Sequence, residues 1–228
     1  MPLNFPDDPI MRVSHETLYA WIYAPSQRGL GLWQYLPRGQ RKRRQRGPAR
    51  KVRRAPQIRF RVPIHQRPVE IEDRVEFGHW EADSVLGASG TGALHTEVER
   101  TSRFLVAAKI GATTAKATLV AQQAMISQFP AHAVKSITAD NGSEFAWHYK
   151  LADSTGVPTY FAVPYSSWQR GTNEHFNGRI RKYLPKRTRF DTITEDELAD
   201  IIAEINNRPR KILGWRTPTE VFNNLCST

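Results

Sequence analysis

Three acids, Asp83, Asp140 and Glu174, have types and spacing that could do chemistry. Asp140 opens the turn signal Asp140-Asn141-Gly142, and Glu174 follows it after 33 intervening residues. Carboxylates at the ends of adjacent strands, joined by a third from a nearby helix, converge on one pocket. Mg²⁺ prefers such oxygen donors in octahedral geometry. Two ions ~3.5–4 Å apart activate an attacking water or hydroxyl and stabilise the leaving oxygen. In-line phosphoryl transfer needs that positioning and neutralisation more than a protein nucleophile. Each acid also has an ordinary structural reading. An aspartate at a strand end closes turns, and a glutamate in a first helical turn answers the helix dipole. Glu81 and Glu144 are rivals, and the period of two puts Glu81 on the same strand face as Asp83. Spacing therefore leaves Glu81 open. His79 and His175 are weaker rivals, because Mg²⁺ disfavours imidazole.

The elements that must position these acids read as one α/β unit. Trp80 to Leu86 is predicted as a strand carrying Asp83, and Ala93 to Val98 with Phe104 to Ile110 as a hairpin. A helix is expected over Thr114 to Phe129, with Ala117, Val120/Ala121 and Ala124/Met125 inward. Val134 to Ala139 reads as the strand that ends at Asp140, followed by helix-like residues from Glu144 to Leu151 and a strand near Tyr160 to Val163. Pro164 to Gly171 reads as a loop entering a helix from Thr172 to Leu184, with Glu174 near its start and Pro185 as its stop. Thr194 with Glu197, and Thr217-Pro218 with Glu220, are helix-start signatures. Nearer the start, Ser14 caps a helical pattern from Val13 to Tyr23 with Leu18, Trp21 and Ile22 on one face.

Of 228 residues, 39% are hydrophobic, enough for one sizeable domain and a small appendage. The lone Cys226 has no internal disulfide partner, and no apolar run approaches the ~18 residues of a membrane span. The formal charge of +11 is local: Arg38 to Arg61 carries 12 Lys/Arg and no acid. Residues 70–228 carry 18 Lys/Arg against 19 Asp/Glu, a net −1. Such a tract suits a polyanion, because each neutralised phosphate releases counterions. The expected organisation is a helical segment over 1–36, a basic linker over 37–69, and the α/β domain over 70–228.

Longer motifs narrow the reading. Phe77-Gly78-His79-Trp80-Glu81-Ala82-Asp83 and Thr138-Ala139-Asp140-Asn141-Gly142-Ser143-Glu144-Phe145 resemble the first two catalytic motifs of the insertion-sequence-30 family of bacterial transposases. Pro164-Tyr165-Ser166-Ser167-Trp168-Gln169-Arg170-Gly171-Thr172-Asn173-Glu174 resembles the third, and Ile180 to Lys186, Asn206 to Lys211 and Arg216 to Phe222 extend the match. The resemblance implies an α/β fold of RNase-H-like, retroviral-integrase type: a mixed sheet flanked by helices, here with a short N-terminal helical remnant and a basic linker. It implies an Asp-Asp-Glu transposase using Mg²⁺ or Mn²⁺, two ions, with Asp83, Asp140 and Glu174 as catalytic ligands and not Glu81 or Glu144. Ala82, Val163, His175, Arg179 and Arg187 depart from the family pattern without removing a ligand. Pro6 to Tyr19 resembles the turn and recognition helix of a helix-turn-helix whose preceding helix is not in this sequence. An N-terminally truncated form is therefore expected.

The implied reaction is metal-dependent strand cleavage and strand transfer of an insertion sequence. The partner is double-stranded DNA, both element ends and target, and the protein is expected to be a homo-oligomer when bound to it. A cytoplasmic, nucleoid-associated location and no membrane partner are expected. Arg41, Lys42, Arg43, Arg44, Arg170, Asn177, Arg181 and Lys182 are the expected DNA contacts. Two alternatives compete: a nuclease that does not join, and a catalytically silent DNA-binding fragment that competes with the full-length enzyme.

Overall fold

The computed structural model describes residues 13–37, 39–42, 58–163, 166 and 171–227, except the side chain of Glu174. Chain contacts divide into two compact units, Met1–Arg53 and Arg54–Thr228. In the first, helix α1 (His15–Ile22) is capped by the Ser14 side chain, which accepts from the Thr17 N–H at 3.1 Å. No α1 residue is buried; of the expected apolar stripe Leu18 and Trp21 are 51% and 53% exposed, and Ile22 is half-buried.

The second unit is built on one mixed sheet in the order β1-β6-β5-β2-β3-β4. Strands β2 (His79–Leu86), β3 (Ala93–Glu99) and β4 (Leu105–Ile110) form an antiparallel meander. Strands β5 (Ser136–Ala139), β6 (Thr159–Phe161) and β1 (Val62–Pro63) continue it in parallel from β2. Alternation along β2 and β3 assigns the two faces. Val85, Leu94 and Val98 pack with Phe176 and Ile180 of α4 (Gly171–Tyr183) and with Leu198 and Ile205 of α5 (Glu195–Asn206). On the other face Trp80, Ala82 and Ile137 pack with Phe145, with Leu151 of α3 (His148–Thr155) and with Phe222 of α6 (Pro218–Cys226). Trp80 is 1% exposed, stacks on Phe129 and donates its Nε1–H to the Ala133 carbonyl at 2.7 Å, so its one polar group is satisfied. Thr194 and Thr217 both complete the expected capping boxes.

Three expectations need correction. Helix α2 (Ala115–Ile126) buries Thr118, Ala121, Gln122 and Met125, and Val120 is 57% exposed. The inward stripe is rotated because Gln122 must reach the buried Glu97 carboxylate, to which its Nε2 donates at 3.0 Å. The helix expected from Glu144 starts at His148, after a single tight turn over Ser143–Phe145. The sheet begins inside the stretch read as basic linker: β1 pairs with β6, and Ile58 and Ile64 are buried. A two-residue parallel edge strand ending in a proline carries no alternation by which to recognise it.

Candidate active site

Parallel register carries Asp83 to Asp140. Glu81 of β2 stands opposite Thr138 of β5, so two residues further on Asp83 lies level with Asp140, the first residue beyond β5. Neighbouring strands lie about 4.8 Å apart, and level residues of a parallel pair share a face. Continuing that register brings Asp83 and Asp140 to one face of the sheet, where β5 ends and β2 runs on to Leu86. Each is fixed locally: Asp83 Oδ1 accepts from the Ser84 N–H at 2.8 Å, and Asp140 Oδ1 from the Gly142 N–H at 2.7 Å. The Asp-Asn-Gly turn read from the sequence is therefore present, and it orients Asp140.

Helix α4 is held on the same sheet face by two asparagines one turn apart. Asn177 Nδ2 donates to Asp83 Oδ2 at 2.8 Å, and Asn173 Nδ2 donates to the Glu81 carbonyl at 2.7 Å. Thr96 of β3, paired with Asp83, has its hydroxyl within 3.3–3.4 Å of both asparagine side-chain oxygens and of the Asp83 carbonyl, which share its one hydrogen. Glu174 lies on the first turn of this helix, between the two anchors; its side chain lies outside the described residues.

Glu81, which spacing could not separate from Asp83, is fully buried. Its Oε2 accepts the Asn173 N–H at 3.0 Å, and Arg100 Nε approaches Oε1 at 3.3 Å. Both oxygens serve the attachment of α4 and a buried ion pair. Burial, then repulsion from Arg67, lowers the Arg100 pKa to about 10, with Glu81 opposing the fall.

Glu144 is the other rival. Burial raises its pKa, and the negative charges of Asp140 and Asp83 push it further, so the three carboxylates share one electronegative region. Among the described residues no three His, Cys, Asp or Glu side chains close on one point. Hard oxygen donors level with each other, repelling a third carboxylate, fit a divalent cation, whose charge would relieve that repulsion. His79 is turned elsewhere, with Nδ1 2.8 Å from Ser136 Oγ and Nε2 3.1 Å from Glu76.

The expected DNA contacts divide. Arg43, Arg44 and Arg170 lie outside the described residues. Arg41 and Lys42 line a cavity within the first unit together with Tyr23, Arg28 and Trp33. Asn177 holds Asp83, and Arg181 donates to the carbonyls of Leu86, Leu184 and Pro185, tying the end of α4 to the end of β2. Lys182 is exposed on the last turn. The positioning residues Asn173, Thr96 and Arg100 were missed. Only Asn173 had a sequence signal, its place beside Glu174 in the third motif.

Among the described residues no helix is long and apolar enough to cross a membrane. Residues 74–167 match the integrase core domain family. Over 219 residues the chain is 41% identical to the transposase for insertion sequence element IS1086 of Cupriavidus metallidurans, covering 96% of this chain and 64% of that protein. It is 39% identical over 223 residues to transposase InsI for insertion sequence element IS30A of Escherichia coli, covering 95% of this chain and 57% of that protein. The chain thus spans about 57–64% of the length of these relatives. In fold it matches the catalytic core domain of BIV integrase, with a TM-score of 0.50 and 22% identity over 64% of this chain and 94% of that one. That likeness shows the RNase-H-like, integrase-type architecture. Over the stretch it shares with these relatives, the chain belongs to the IS30 family of insertion-sequence transposases, with an integrase core domain at its centre.

Proposed function

We propose that the chain catalyses metal-dependent DNA strand cleavage and strand transfer, with Asp83, Asp140 and Glu174 as the metal ligands. The level placement of Asp83 and Asp140 on adjacent parallel strands carries this reading. Bound there, a pair of Mg²⁺ or Mn²⁺ ions would supply Lewis acidity and charge neutralisation at the scissile phosphate. The chain's own residues do the positioning. Asn177 and the Ser84 N–H orient the Asp83 carboxylate, and the Gly142 N–H orients Asp140. Asn173, Glu81 and Arg100 fix the helix turn that bears Glu174. The substrate is double-stranded DNA at the element ends and in the target. Arg41, Lys42, Arg43, Arg44, Arg170 and Lys182 contact its phosphates, with Asn177 and Arg181 beside them. The protein is a homo-oligomer on DNA in the bacterial cytoplasm, at the nucleoid.

Incubating the chain with a labelled element-end duplex and a supercoiled plasmid tests this. Mg²⁺-dependent joined product is expected. Cleavage without joining would leave a nuclease, and DNA binding with neither would leave a silent competitor of the full-length transposase.

A further inference from the structure

A cavity of about 410 Å³ opens beside α4, lined by Arg74, Arg103, Arg179, Arg208, Arg210 and Lys211, with no Asp or Glu among the described residues that line it. Thr172, His175, Phe176 and Arg179, which form its α4 wall, recur at three- and four-residue steps. At 3.6 residues per turn, that stripe lies about a third of a turn round the helix from Asn173 and Asn177. The cavity is therefore separate from the carboxylates around Asp83.

A basic surface is usually a solvated face, with its charges spread into water. This one is built differently. Arg210 is only 7% exposed, and its Nε has no hydrogen-bond partner among the described residues. Its Cζ lies 5.5 Å from the Phe176 ring centre, and that of Arg179 lies 5.7 Å from the same ring. The side-chain partners of the cavity's guanidiniums are mostly neutral. Arg179 contacts His175 Nε2 at 2.7–2.9 Å, Arg103 donates to Thr172 Oγ1 at 2.8 Å, and Arg210 donates to the Ile205 carbonyl. Among the described residues only Arg208 of the six cations has an ion pair, with Glu204 at 3.4 Å. Burial and the charges of Arg179 and Arg208 lower the Arg210 pKa to about 10, still fully cationic at neutral pH. Holding the buried Arg210 guanidinium among other positive charges is costly unless an anion neutralises it.

We infer that this cavity binds the phosphodiester backbone of DNA at a segment away from the phosphate being cut. The inference rests on the DNA-acting function proposed above. Planar guanidinium forks match phosphate oxygens in pairs. A DNA strand presents one charge per ~3.4 Å of axis, so consecutive phosphates can engage several of the six cations, which a single small anion does not require.

The test uses the full chain in EDTA, so that metal chemistry plays no part. Binding of a labelled duplex is measured by anisotropy over a range of salt concentrations, for wild type, Arg179→Gln/Arg208→Gln and Arg179→Lys/Arg208→Lys. Losing two phosphate contacts should flatten the slope of log K against log salt by about 1.8, at about 0.9 per phosphate. The lysine pair should keep most of the slope, which separates lost charge from lost folding. Nitrogen-15 resonances of the arginine Nε–H groups should move with duplex. An unchanged slope in the glutamine pair, with wild type binding normally, overturns this site and leaves the proposed function standing. Failure of wild type to bind any duplex overturns both. Resonance shifts with pyrophosphate but not with duplex would make this a small-anion pocket and overturn the inference.

Discussion

Replacing Glu81 by glutamine removes the charge from a carboxylate that is fully buried against Arg100, itself 2% exposed. The amide oxygen can still accept the Asn173 N–H, so the helix contact survives while Arg100 is left without its counter-ion. Breaking one partner of a buried pair costs about 3–5 kcal/mol. At ~2–4 °C per kcal/mol for a chain of this size, the melting temperature should fall by roughly 6–20 °C. Arg100→Met leaves Glu81 uncompensated and should cost a similar amount. The double variant Glu81→Gln/Arg100→Met removes both charges and should recover most of the loss, since apolar replacement of a buried pair is often neutral. Urea unfolding of the four proteins closes the cycle. Single variants within about 1 kcal/mol of wild type, or a double variant whose loss is the sum of the singles, would refute the structural role given to Glu81.

Other consequences are as direct. Asn177→Leu frees the Asp83 carboxylate and should slow joining on the order of 10²-fold, as misplacement by about 1 Å does, with little change in melting temperature; unchanged joining would remove Asn177 from the positioning scheme. Burial holds the His148 imidazole below 6.5, against the opposing pull of its bond to the Arg59 carbonyl. Below pH 6.5 the unfolded chain therefore binds a proton that the folded chain resists, and stability falls as pH drops through that range. His148→Gln should flatten this dependence in urea unfolding measured from pH 5 to 7.5, and an unaltered profile would assign it to other groups. Glutamine at every Lys and Arg from Arg41 to Arg54 should flatten the salt dependence of duplex binding by several units, because the chain from residue 70 onward is net −1. An unchanged slope would move the binding charge to Arg179–Arg189.

β2, the hairpin and α4 are legible in the sequence because alternation, turn residues and caps are local signals. β1 is not, since two residues in a parallel edge pairing have no periodicity. In the candidate site, Asp83 is recognisable as an acid on a strand and Asp140 as a strand-end acid, but their level placement follows from register, which becomes visible only when β2 and β5 pair. Spacing could not tell Glu81 from Asp83. Their difference comes from Arg100 and from the Asn173 N–H, which reach Glu81 through pairings that no sequence period announces. The rotated face of α2 has the same origin: Gln122 is buried because Glu97 is. Polar networks inside the core override the apolar stripe that pattern alone selects.

A third acid must complete the pair formed by Asp83 and Asp140. Glu144 shares their electronegative region, and Glu174 rides on the helix that Asn173 and Asn177 fasten to the sheet. Glu174→Gln and Glu144→Gln should be compared in one Mg²⁺-dependent joining assay, with duplex binding measured alongside. Glu174→Gln is expected to abolish joining while binding stays near wild type, and Glu144→Gln to retain it. Near-normal joining by Glu174→Gln, or its loss in Glu144→Gln alone, would contradict the assignment.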